Sequence, residues 1–168
     1  MHSLASRKGH EMVLAFPVLV VGVIGVVCAL LGCAVPFAAI SAAAALNCGR
    51  RCGLSVVLAA WAIDQFLGFT LRGYPHATST YVWGLAIGVA TVASYALASM
   101  LRRSAYAAFA GSFVAFEGVL MLFSIPLGDW GAYAPAILVT LLVTNMVWFV
   151  AAHALCRVVS RKAFAAPI

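Results

Sequence analysis

Residues 36–53 read PFAAISAAAALNCGRRCG, an alanine-dominated apolar run closed by Asn47, Gly49 and the Arg50–Arg51 pair. The apolar part, 36–48, is about two-thirds of the roughly 20 residues that a full crossing needs. Its status nevertheless controls the side on which every later charge falls. If it crosses and the N-terminus is inside, one side carries Arg7, Lys8, Arg50, Arg51, Arg102, Arg103, Arg157, Arg161 and Lys162, and the other carries Arg72 alone. Such an imbalance is the positive-inside distribution of a multi-pass protein. Merging this run with the one before it would move Arg50 and Arg51 to the wrong side. A helix so short must be tilted, pack inside the protein, or be continued by irregular backbone lining a cavity.

Working outward, five more apolar runs appear: 12–33, 52–71, 80–101, 104–126 and 132–157. Turn chemistry separates them at Pro36, at Asn47 with Gly49, at Gly73 with Pro75, and at Pro126-Leu127-Gly128-Asp129. Of the 168 residues, 65% are hydrophobic and 8% charged, and the mean hydropathy is +1.11. A water-soluble domain cannot hide that much apolar surface. The runs are continuous rather than alternating, so they are helices and not barrel strands. The expectation is all-α: one transmembrane domain over 1–168, an integral bundle of six helices in the bacterial inner membrane with both termini cytoplasmic. The run from Met12 to Cys33 is too long for the core of a cleavable signal and reads as a permanent span.

A net charge of +6 invites thoughts of nucleic acid. The basic residues lie in small groups between apolar runs, with no basic stripe and no interleaved aromatics, so they report topology. The five cysteines Cys28, Cys33, Cys48, Cys52 and Cys156 have no ligand spacing matched by histidines and read as apolar fillers. No metal site and no cofactor is expected. There is no Walker A loop, HExxH, GxSxG or zinc spacing, so the chain is not expected to be an enzyme and cannot hydrolyse ATP itself.

An ionisable residue at lipid depth costs on the order of 2.5–3.5 kcal/mol on insertion scales and therefore needs an account. Two acids qualify, Asp64 and Glu117. Counted from the outer ends of their runs, they lie at roughly 10 and 13 Å, which allows a shared site in the outer half. Trp61, Asp64, Gln65 and Gly68 follow the spacing of one helix face. The alternative is that Asp64 and Gln65 are polar glue between helices, and that Glu117 is neutral and bonded to a carbonyl. Gly84, Gly88, Thr91 and Tyr95 share another face, on which the GxxxG of Gly84 and Gly88 reads as packing. Asn145 is a ligand or a helix-bridging amide. His153 reads as structural, and His76 is placed over a pocket entrance or in the headgroups. Tyr74, Tyr81, Trp83, Trp130 and Tyr133 read as an aromatic belt, some of them at a pocket mouth.

From Pro36-Phe37-Ala38 through Arg50-Arg51-Cys52-Gly53 to Asp64 and Gly68, the chain resembles the substrate-binding (S) component of energy-coupling factor (ECF) transporters. The likeness is one of pattern: a short Ala-rich second helix, a basic inner turn, and a third helix ending in polar residues and glycine. It implies a pocket near the outer face for a small, vitamin-like molecule, and partners in the form of an ECF coupling protein and cytoplasmic ATPases. It also implies that Gly25 and Ala29, a small-xxx-small pair, dock the coupling protein. Nickel and cobalt members begin Met-His, as here, but Ser3-Leu4-Ala5 does not continue that motif.

Uptake is thus the leading expectation. Asp64 and Glu117 would accept hydrogen bonds or balance a cation, Gln65 and Asn145 would orient polar edges, and Trp61 or Trp83 would stack on a ring. The competitors are a non-transporting structural or assembly subunit of a larger membrane complex, and a proton- or cation-coupled carrier. The absence of an internal repeat counts against the carrier.

Overall fold

Alanine at six of eleven positions makes α1 (Phe37–Asn47) a thin rod that other helices can approach from every side. Its residues from Phe37 to Ala45 are all buried. A helix buried all round has no need of a polar face, and this one has none. Four longer helices surround it: α2 (Arg50–Thr70), α3 (Thr78–Met100), α4 (Ala105–Leu127) and α5 (Pro135–Ala165). Each of them packs on α1. The computed structural model describes residues 35–128 and 133–165, and among these there is no strand.

α2, α3, α4 and the 135–157 part of α5 are each long and apolar enough to cross a membrane. Their outward side chains, Phe66, Val114, Leu122 and Val147 among them, are exposed apolar groups suited to lipid. The chain is therefore a multi-pass, all-helical membrane protein. The short helix takes the second of its three options and packs inside the protein. At about 1.5 Å per residue it spans roughly half of a 30 Å hydrocarbon core. The segment expected at 12–33, with Gly25 and Ala29, lies outside the described residues, as does Trp130.

Hydroxyls bind the helices together. Ser94 Oγ of α3 donates to Ser112 O of α4 at 2.9 Å, and Ser112 Oγ donates to Ala38 O of α1 at 2.8 Å. Ser41 Oγ reaches back from α1 to Thr91 O at 3.4 Å. All three hydroxyl side chains are fully buried, as is Thr91. In hydrocarbon such bonds replace the water that a hydroxyl would otherwise lack. α3 and α4, joined by the short 101–104 turn, form the broadest interface. Ser104 caps α4 by accepting from Ala107 N–H, and α4 runs through Pro126 to end at Gly128, whose φ of 69° is the left-handed closure glycine favours.

At its N-terminus α1 begins after Pro36, which offers no side-chain cap. Asn145 Oδ1 of α5 accepts from Ala39 N–H at 3.2 Å instead, while its Nδ2 donates to Leu141 O at 3.0 Å. At the other end, Asn47 Nδ2 donates to Ala43 O at 2.8 Å and lies 3.4 Å from His153 Nδ1. His153 stacks on Phe149, which stacks on Phe109. Both ends of the central helix are thus tied to α5.

Candidate functional site

The face of α2 that bears Trp61, Asp64, Gln65 and Gly68 turns inward as one side, and most of it is engaged by the fold. Trp61 Nε1 donates to Gly84 O of α3 at 2.9 Å. Its ring lies where a side chain at Gly88 would stand, 2.9 Å from the position of a Cβ there. Gln65 fills the corresponding notch at Gly84. The exchange runs both ways, since Tyr95 of α3 lies over Gly53 of α2 and donates to Arg50 O at 2.8 Å. The glycines of α3 therefore receive side chains from α2 rather than its bare backbone.

Asp64 remains distinctive. It is 7% exposed, and its Oδ2 accepts from Gln65 Nε2 at 3.2 Å. Its Oδ1 lies 3.8 Å from Arg72 Nη1. That separation is an ion pair without a hydrogen bond. Arg72 also donates to Tyr74 Oη at 3.1 Å. The loop after α2 makes this possible. Arg72 N–H and Tyr74 N–H return to the carbonyls of Leu67 and Gly68, and Gly73 takes a φ of 65°. Tyr74 then lies in the notch at Gly68, where any Cβ would collide with its ring. The arginine set against nine on the charge count is thus the partner of the acid below it.

A small aromatic roof covers this end. Phe69 stacks with His76 at 5.4 Å and with Tyr81 at 5.2 Å, and meets Tyr74 edge-on at 6.0 Å. His76 Nδ1 and Tyr81 Oη are 2.8 Å apart. His76 and Tyr81 are exposed, Phe69 and Tyr74 half-buried. The arrangement places a plus and a minus charge side by side, with a carboxamide adjacent and flat rings above. Such a set complements a small molecule carrying both polar groups and a ring.

The other residues singled out in the sequence lie elsewhere. Glu117 is half-buried on α4 and has no hydrogen-bond partner among the described residues. α2 and α4 each pack on α1 and α3 and form no comparable interface with each other, and no described residue bonds both acids. Equal depth therefore does not bring Asp64 and Glu117 into one cluster; α1 and α3 come between their helices. Asn145 is 6% exposed and spends both polar atoms on backbone. Trp83 is half-buried beside Gly84. Cys48 and Cys52 are free thiols.

Arg72 and Phe69 were not among the sequence candidates for binding, and Tyr74 and Tyr81 entered only as belt aromatics with some rings at a pocket mouth. The signal that could have found Arg72 was its isolation as the one basic residue on its side. No family model, curated protein or solved structure matches the chain, so its function is argued from the chemistry of these residues alone.

Proposed function

We propose that this chain is a six-helix, S-component-like transport subunit of the bacterial inner membrane. It binds a small organic, vitamin-like solute at the Asp64–Arg72 pair and mediates its uptake. The arginine-rich end, with Arg50, Arg51, Arg102, Arg103 and Arg157, faces the cytoplasm together with both termini, and the aromatic roof faces outward. The observation that carries the reading is the buried carboxylate of Asp64, held 3.8 Å from Arg72 beneath stacked rings. A desolvated charge pair is a costly way to join two segments. A polar solute can take over from either partner as the pair opens. Under this reading Gln65 orients a polar edge, and Trp83 and Tyr81 offer ring faces. An ECF coupling protein with cytoplasmic ATPases supplies the energy that the chain itself has no motif to supply.

A second reading, a structural subunit of a larger membrane complex, draws support from Trp61, Gln65 and Asn145. Their polar atoms are taken up by contacts inside the chain. One experiment separates the two. Native mass spectrometry of the purified chain, with uptake assays on Asp64→Asn and Arg72→Gln, should show a retained solute and its loss in both variants. A bare chain whose variants leave uptake of every tested solute unchanged would falsify transport and leave the structural role.

A further inference from the structure

At the opposite end of the molecule from Asp64, a cleft of about 480 Å³ opens between the start of α2 and the end of α3. Its polar end is lined by Arg50, Arg102 and Ser99, and its apolar flank by Leu54, Val92 and Met100. We propose that this cleft binds one anionic glycerophospholipid, with its phosphate between Arg50 and Arg102 and an acyl chain along the apolar flank. The proposal stands apart from the uptake reading, because it uses none of the residues at the Asp64 end.

Three independent features point to this occupant. The first is charge. Both arginines are exposed, and the acids among the described residues, Asp64 and Glu117, do not line the cleft. Nothing on the described surface there competes with an anion. Arg50 is also the first residue of α2, whose N-cap Gly49 supplies no side-chain bond and whose first turn holds no acid. The positive end of that helix is thus directed to the same place. The Cys48 thiol in the wall is pushed up to about 12, chiefly by burial, so it stays neutral and adds no repulsion.

The second feature is a buried polar group without a partner. Among the described residues Ser99 Oγ has no hydrogen-bond partner, and Ser99 lines this cleft. A buried hydroxyl left unbonded costs free energy, which a phosphate oxygen would recover. The third is shape. Val92, Ala96 and Met100 recur at i, i+4 and i+8 of α3, and Leu54 lies one turn beyond Arg50 on α2. The apolar flank therefore runs roughly 12 Å along α3 away from the arginines. A free phosphate would fill only the mouth, whereas a lipid fits head and tail at once. The mouth lies at the end of the spans, at headgroup level, where basic pockets between helices meet lipid heads. The cleft is also a firm one, since Tyr95, 5% exposed, fixes Arg50 O across it.

The test is native mass spectrometry of the full chain in detergent. It is titrated with phosphatidylglycerol, with chain-matched phosphatidylcholine, and with phosphatidylglycerol in the presence of millimolar inorganic phosphate. The expected result is one retained phosphatidylglycerol per chain and markedly weaker retention of phosphatidylcholine, with no displacement by inorganic phosphate. Arg50→Gln with Arg102→Gln should weaken phosphatidylglycerol binding by about 10- to 30-fold. Arg51→Gln with Arg103→Gln, an equal loss of charge outside the cleft, should change it by less than about 3-fold. Ala96→Phe, which blocks the apolar flank and keeps every charge, should also abolish retention. Equal retention of the two lipids would overturn the proposal, as would equal losses in the two arginine pairs. Displacement by inorganic phosphate would make the cleft a free-anion site and overturn it too.

Discussion

Asn145 on α5 accepts the amide hydrogen of Ala39, the third residue of α1, at 3.2 Å across a separation of 106 positions in the chain. Helix starts leave amide hydrogens unbonded, and in lipid no water is at hand to take them. A neighbouring helix caps α1 from outside. Asn145→Leu removes the acceptor while roughly keeping volume, and should cost about 1–3 kcal/mol. Thermal unfolding in detergent checks this. An unchanged midpoint would mean that the cap is dispensable.

The exchange of side chains for glycines between α2 and α3 makes a second prediction. A Cβ at Gly88 would stand 2.9 Å from the Trp61 ring. Gly88→Ala should therefore destabilise by about 1–3 kcal/mol. Trp61→Leu should cost as well, because it empties the notch and frees Gly84 O. The double variant should be more stable than the two single losses added together. A double-mutant cycle that sums to zero would disprove the coupling.

Asp64 and Arg72 should show the behaviour of a pair rather than of two residues. Arg72→Gln leaves an acid buried without its counter-charge and should cost about 1–3 kcal/mol, moderated by the partial exposure of the guanidinium. Asp64→Asn in the same chain should return most of that loss. Unfolding midpoints of the three variants in one detergent decide the matter, and a double variant weaker than Arg72→Gln alone would contradict it.

Cys48 carries a prediction in pH. An unfolded thiol ionises near 9.0, while in the folded protein burial raises this one to about 12. The folded state therefore holds its proton where the unfolded state has released it, and stability should fall as pH rises from about 9 toward 12. Only the thiolate is alkylated. At pH 8 the folded chain should react with iodoacetamide at Cys48 some two to three orders of magnitude more slowly than the denatured chain. Peptide mapping after a timed alkylation reads the ratio.

Much of the architecture is legible in the residues. The long apolar runs at 52–71, 80–101 and 104–126 match α2, α3 and α4 to within about two residues, because lipid demands continuous hydrophobicity and glycine, proline and arginine mark the ends. The face of Gly84, Gly88, Thr91 and Tyr95 is buried as one side. Helix spacing shows which residues face together, though not what they meet. Trp61 was therefore set down as a solute contact and the Gly84–Gly88 pair as a close approach of backbones, whereas the Trp61 ring lies at Gly88 and Gln65, still beside Asp64, fills the notch at Gly84. The joining of Ser94, Ser112 and Ser41 depends on the packing of α3, α4 and α1, and no local pattern records that. Depth along a helix likewise gave Asp64 and Glu117 equal heights without saying that α1 and α3 separate their helices.

The placement of α1 bears on how the protein is made. Eleven residues are too few for the insertion machinery to treat as a span in their own right, and every side of this helix needs a neighbour. Its last neighbour, α5, is synthesised about 100 residues later, so at 5–20 residues per second Ala39 waits roughly 5–20 s for Asn145. During that interval, among the described helices, only α2, α3 and α4 can shelter the newborn rod. The slot that α5 closes last is therefore where assembly in the cell is most exposed to error.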